Sequence, residues 1–311
     1  MCVRNSLVTL VTMLVLGLVA CDSGPVAPPE GADRAPTFDV DGALSYDLRA
    51  FDVPAEMGSY TSAFGNNSFG TIVGNYAAVD GNAHGFIFRH GRFIDVTVPG
   101  SGGFDRGSLA DVNEFGVAVG GFSDADDISH TYLRGPLGHI TVLPLRAPDA
   151  RSSEGYGINN CGAIVGNFVD AAGVRHGFIW RLGQYTTFDP PGAVSTRLNA
   201  INDRDEIAGQ YTDASAHVHG FILRDGNLQA IVYPGAVSTR ASSINNRGQI
   251  TGFYNNADGV WHGFVYSDGQ FMPIDFPGSF NTVALGINDW GMFVGTYDDF
   301  SRGFVATPRR F

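Results

Sequence analysis

Apolar positions in this chain fall in short extended runs of about four to seven residues, cut apart by Gly, Asn, Asp and Ser. The cleanest statement of the pattern spans Ser243 to Gly269. Ser243-Ile244-Asn245 ends one extended segment, Asn246-Arg247-Gly248 turns the chain, and Gln249 to Tyr254 returns as a second. His262-Gly263-Phe264-Val265-Tyr266 opens a third segment, closed by Ser267-Asp268-Gly269. Asn-x-x-Gly between two apolar runs is hairpin chemistry, because Gly supplies the left-handed backbone that a tight turn needs. Gly162, Gly248 and Gly291 suit that place, and Asp205 fills it in another copy. The pattern predicts a run of antiparallel hairpins, with no helical periodicity beyond the N-terminus.

The same frame repeats six times. Gly74, Gly120, Gly166, Gly209, Gly252 and Gly295 are separated by 46, 46, 43, 43 and 43 residues. Ten residues after the first five lie His84, His130, His176, His219 and His262, whereas Arg302 follows Gly295 after seven. A period of roughly 40 to 50 residues carrying four strands marks the blade of a propeller. The sixth copy lacks a fourth strand. Leu48 to Pro54 matches Tyr185 to Pro191 and precedes the first copy, so it is expected to complete the sixth blade and close the ring. The fold predicted for residues 37–308 is all-β: a six-bladed β-propeller of four-stranded antiparallel blades, closed by an N-terminal strand.

Gly157-Ile158-Asn159 and Gly286-Ile287-Asn288, the Ile164-Val165-Gly166 strand and the His-Gly-Phe triplets such as His176-Gly177-Phe178 together resemble the bacterial extracellular HAF repeats, over roughly residues 60 to 305. The resemblance implies a propeller-like fold and an exported location, without an associated chemistry. His130-Thr131-Tyr132 and Arg302 depart from the triplet, so the second and sixth blades are expected to be irregular.

Arg4 precedes a 14-residue apolar run, Leu7 to Ala20, too short for the ~20 residues that span a bilayer. It reads as a signal peptide over 1–20, and Leu18-Val19-Ala20-Cys21 resembles the lipobox of bacterial lipoproteins, making Cys21 the lipidated residue. Residues 21–36, rich in Pro, Gly, Ala and Asp, then form a flexible tether. A membrane, reached through Cys21, is thus one expected partner, and the location is periplasmic or cell-surface. Only Cys161 would remain, at a turn position taken by Phe69, Phe115, Arg247 and Trp290 elsewhere, so no disulfide framework is expected.

With a formal charge of −12 the chain is a poor match for nucleic acid, which is gripped by clustered Lys and Arg. No nucleophile elbow, phosphate loop or dinucleotide fingerprint occurs. The repeated histidines sit on different blades, so they read as structural, bonded to nearby backbone, and neither metal nor cofactor is expected. Asp124, Asp170, Asp213 and Asp258 read as solvated loop residues.

Alignment of the innermost strands places Ser62, Ser108, Glu154, Arg197, Arg240 and Val283 at one level of the channel. Two arginines on adjacent blades then stand beside a glutamate. They suit a carboxylate or phosphate ligand, or else a structural ion pair with Glu154. The function expected is a non-enzymatic binding or scaffolding module whose ligand is a protein or an acidic carbohydrate. The alternative is a carbohydrate-active hydrolase or lyase at the channel mouth, although Glu154 has no obvious second carboxylate.

Overall fold

The computed structural model describes residues 45–101, 107–144 and 149–309. The expected signal peptide over 1–20, Cys21 and the tether over 21–36 lie outside the described residues.

Six four-stranded sheets make up the described chain, and no helix occurs among its residues. Their inner strands are Gly58–Asn66, Ser108–Val112, Ser152–Ile158, Ala193–Ile201, Ser238–Ile244 and Thr282–Ile287, on blades one to six. Each inner strand lies against the inner strands of its two neighbours, the sixth against the first, so the ring closes. Every pairing is antiparallel. The protein is a six-bladed β-propeller.

The framing glycines are required by packing. A Cβ on Gly166 would lie 2.0 Å from the Glu154 carbonyl oxygen and 2.8 Å from the Phe178 ring, and one on Gly252 would lie 2.1 Å from the Arg240 carbonyl and 2.4 Å from the Phe264 ring. The phenylalanine of the third strand therefore fits flat against a bare backbone. Phe86, Phe178, Phe221, Phe264 and Phe304 are wholly buried there, each worth roughly 2–3 kcal/mol of transfer free energy. The second blade has Thr131 and Tyr132 instead, and it compensates. The Thr131 methyl occupies space opened by Gly155 of the next blade, whose own Cβ would lie 2.6 Å from it.

Closure follows the predicted register. Tyr46–Phe51 pairs with Arg302–Pro308, with Phe51 opposite Gly303 just as Phe188 lies opposite Gly177. Arg302 replaces the repeat histidine, and its guanidinium reaches Asp52 at 2.6 Å, across the two ends of the chain.

The histidines bond to carboxylates, which corrects the expectation of backbone partners. His84 lies between Asp95 at 2.9 Å and Asp80 at 3.2 Å, and His176 between Asp189 at 2.7 Å and Asp170 at 3.4 Å. His130 meets Asp124 at 2.7 Å, His219 meets Asp213 at 2.8 Å, and His262 meets Asp275 at 2.9 Å. Several acidic loop residues are correspondingly more than solvated. Asp124, Asp170 and Asp213 each cap their own turn, accepting backbone N–H groups two and four residues on, while the other oxygen holds the histidine. The hydrogen bond from His219, then that from the His217 N–H, bring the Asp213 carboxyl down to about 2. Burial works to lower His176, but its bonds to Asp189 and Asp170 outweigh it and hold the imidazole above its ordinary value.

The turn asparagines form a second closed circle. The amide Nδ2 of Asn67 donates to the Asn113 carbonyl at 3.0 Å, Asn113 to Asn159 at 3.2 Å, Asn159 to Asn202 at 3.1 Å, and Asn202 to Asn245 at 3.1 Å. Asn245 donates to Asn288 at 2.9 Å, and Asn288 returns to Asn67 at 3.0 Å. Each Oδ1 meanwhile accepts from its own turn, as Asn159 does from the Ala163 N–H at 2.9 Å. Asp205 stands in for the turn glycine with φ of 63°, the left-handed conformation expected of it.

Candidate functional site at the channel mouth

The six residues aligned in sequence do share a level. Ser62, Ser108, Glu154, Arg197, Arg240 and Val283 pair with Asn75, Gly121, Asn167, Gln210, Phe253 and Thr296, in each case the residue after the framing glycine. The glycine contact fixes this register, since it seats the level residue's carbonyl where a Cβ would otherwise be. Five of the six, together with Asn75, Gln210 and Phe253, line a channel cavity of about 440 Å³.

A β-bulge follows the level residue in every inner strand. Two positions on, Phe64, Ala110, Tyr156, Asn199, Ser242 and Leu285 form a deeper tier lining the same cavity. The sequence reading missed this tier, although strand periodicity points to it, because alternate residues share a face.

Tyr156 organises the charged side. Its hydroxyl donates to a Glu154 carboxylate oxygen, and its ring lies under the Arg197 guanidinium, 3.7 Å from centroid to Cζ. Burial raises the phenol, so it stays protonated and remains a donor. Arg240 lies 4.5 Å from the Trp261 ring and 5.3 Å from that of Phe253. The Trp261 backbone is pinned by Asn281, whose Oδ1 accepts its N–H at 2.8 Å while its Nδ2 donates to Asp299 at 2.6 Å.

Neither arginine forms the structural ion pair with Glu154 that stood as the alternative, for no salt bridge or hydrogen bond from either guanidinium reaches a described residue. Arg197 Nε and Arg240 Nη1 are buried without an acceptor. Burial lowers Arg240, and the Arg197 charge lowers it further. Stacking on aromatic faces fixes both guanidinium planes while leaving their edge donors unused.

A second carboxyl, which the sequence did not reveal, reaches the cavity from the second blade. Asp111 Oδ1 accepts the Val112 N–H at 2.8 Å and Oδ2 accepts the Ile158 N–H of the third blade at 3.0 Å. Part of it faces the channel, but protein surrounds it, and burial pushes its carboxyl up to about 6 against the pull of those two N–H groups. Small residues elsewhere at this depth explain why it stands out: a Cβ on Gly65 would come within 2.6 Å of the Asp111 Cα, and one on Gly157 within 2.6 Å of the Ala200 Cα. Phe300 was also missed. The short sixth-blade loop carries Asp298, Asp299 and Phe300 through left-handed φ of 50°, 56° and 65°, places Phe300 on the cavity wall, and is tied by its carbonyl to the Ser62 hydroxyl at 3.0 Å.

Among the described residues no group of His, Cys, Asp or Glu is arranged to hold a metal. No family model matches the sequence, and no curated protein matches it. Solved structures do. A gluconolactonase from Xanthomonas campestris is 14% identical with a TM-score of 0.55, covering 92% of this chain and 98% of that one. The putative TolB of Agrobacterium tumefaciens is 11% identical with a TM-score of 0.53, covering 87% and 100%, and a streptogramin B lyase is 14% identical with a TM-score of 0.51, covering 85% and 98%. The likeness is one of fold.

Proposed function

We propose that the protein is an exported, lipid-anchored binding module of HAF type, which holds an anionic group in the channel mouth without transforming it. The observation that supports this is the pair Arg197 and Arg240, each over an aromatic ring and each with a buried donor, Arg197 Nε and Arg240 Nη1, that no described residue accepts, on a cavity of about 440 Å³. A buried charged donor left unpaired costs upwards of ~1–3 kcal/mol, and an incoming carboxylate or phosphate recovers it. Acidic carbohydrates and small carboxylates are the ligands to screen, by titration calorimetry. Wild type binds, and Arg197→Ala/Arg240→Ala loses binding with its melting temperature kept; silence of the wild type towards every anion rejects the reading. Leu18-Val19-Ala20-Cys21 supports the anchor on Cys21 and an envelope location. Fatty-acid labelling present in wild type and absent in Cys21→Ser is the expected result, and equal labelling refutes it.

The competing reading is a carbohydrate-active hydrolase or lyase, and two of the structural neighbours are by name a lyase and a gluconolactonase. In its favour, Asp111 gives the cavity a second carboxyl beside Glu154. Against it, both Asp111 oxygens are engaged by backbone donors and Glu154 is engaged by Tyr156. Turnover of an aryl glycoside or a uronate polymer by wild type, abolished in Glu154→Gln, would reverse the preference.

A further inference from the structure

The cavity is two-sided. Its large apolar side chains gather on blades five, six and one, through Phe253, Val283, Leu285, Phe300 and Phe64, with Asn75 and Ser242 among them and Phe122 on the opposite side. Its polar wall includes Ser108, Ser123 and Ser129 of blade two, Glu154 of blade three, and Asn199 and Gln210 of blade four. Arg197 and Arg240, on blades four and five, stand at one seam between the two.

The rim above repeats this division. At the start of the inner strands, two or three residues before the level position, lie Tyr60 of blade one, Val237 of blade five and Phe280 of blade six, exposed by 66%, 55% and 68%. Two or three strand residues span less than about 10 Å, so these residues lie near the same end of the channel, outside the lining of the cavity itself. Among the described residues, Val194 on blade four alone carries the apolar rim beyond the arc of the apolar wall. Apolar side chains gathered at the opening of a cavity are a binding surface, whereas scattered ones are ordinary.

Charge sets the other half of the specification. Two arginines face Glu154 at the level and Asp111 one tier deeper, so the positive charge is confined to the guanidinium edges, which suits a single anionic group there and disfavours a dianion brought against Glu154. A sugar acid presents hydroxyls on all sides and would leave them unpaired against Phe300 and Leu285.

We infer that the ligand is an amphiphilic monocarboxylic acid, its carboxylate between Arg197 and Arg240 and its aromatic or branched aliphatic body against the wall formed by Phe64, Leu285 and Phe300. This rests on the anion-binding reading and narrows it from acidic molecules at large to those with an apolar body.

The test uses the full-length protein in detergent, with 3-phenylpropionate, glucuronate and the uncharged 3-phenylpropan-1-ol as probes in calorimetry. Burying one face of the phenyl ring favours 3-phenylpropionate over glucuronate by about tenfold, and the alcohol falls behind the acid by at least as much. Phe300→Ala, a half-exposed side chain whose removal leaves the loop's backbone bond to Ser62 intact, weakens 3-phenylpropionate about fivefold and leaves glucuronate unchanged. Glucuronate binding as tightly as 3-phenylpropionate, or Phe300→Ala weakening both alike, overturns the inference and leaves the anion reading standing. Failure of all carboxylates to bind wild type overturns both.

Discussion

Gly166→Ala tests the packing that holds the site level in register. The new Cβ would begin 2.0 Å from the Glu154 carbonyl oxygen and 2.8 Å from the Phe178 ring, whereas ordinary contact begins near 3.4 Å. Relief therefore requires the inner strand to retreat by roughly 1.4 Å, the difference of those distances, taking Glu154 with it. A shift of that size breaks about two ladder hydrogen bonds at ~1 kcal/mol each, and unseating Phe178 adds ~2 kcal/mol, for a total near 4 kcal/mol. Gly162→Ala is the control. Gly162 has φ of 75° and open space around its Cα, so alanine there meets only the left-handed backbone penalty of ~1–2 kcal/mol. Urea unfolding of both variants separates a steric cost from a conformational one. Equal destabilisation, or a Gly166→Ala cost below that of Gly162→Ala, would refute the account of the framing glycine.

The asparagine circle predicts that Asn159→Asp, which sets a carboxylate oxygen against the Asn202 carbonyl in place of an N–H, lowers stability by about 3 kcal/mol in the same assay. Arg302→Ala should cost only about 0.5 kcal/mol, because its pair with Asp52 is solvent-exposed, and Arg302→His should restore most of it by recreating the histidine–aspartate pair of the other blades. Stability should peak in mildly acid solution, between about pH 4 and 6, in melting temperatures followed from pH 2 to 9. The lowered Asp213 contributes above its ordinary 3.8 and loses that contribution as pH falls through about 2. The raised His176 contributes below its ordinary 6.5 and loses that as pH climbs past its native value, while the raised Asp111 favours the fold below 3.8 and ceases to as pH rises through about 6. A melting temperature that climbs steadily from pH 6 to 9 contradicts these signs.

The ring was legible because its determinants are local and repeated. The framing glycines, the Asn-x-x-Gly turns and the His-Gly-Phe strands each specify a hairpin within one copy, and the match of Leu48–Pro54 to Tyr185–Pro191 gave the closing strand. The level of Glu154, Arg197 and Arg240 was legible for the same reason, being counted from those glycines. What crosses from blade to blade was not. Asn159 reads in sequence as a turn residue, and only the neighbouring blade shows that its amide reaches the Asn202 carbonyl. The histidine partners were hidden because Asp95 lies on the outer strand and Asp189 and Asp275 directly follow it, 11 to 13 residues on. Phe300 left one trace, the interval of seven where ten was the rule.

Ring and site draw on different positions of the repeat. The glycines, turn asparagines and third-strand phenylalanines meet other parts of the backbone, so each copy must supply nearly the same residue there. The level position meets only the channel, and six copies supply Ser, Ser, Glu, Arg, Arg and Val. A nearly six-fold backbone thus carries an asymmetric lining whose electrostatics are decided by side chains alone. Two arginines without acceptors are a local cost of a few kcal/mol, which an isolated hairpin could not sustain. Here the closed asparagine circle and the paired ends hold the inner strands irrespective of what the level residues do. That independence is why charge can be left unpaired beside Tyr156 and Trp261, and why changes at Arg197 and Arg240 should alter binding far more than folding.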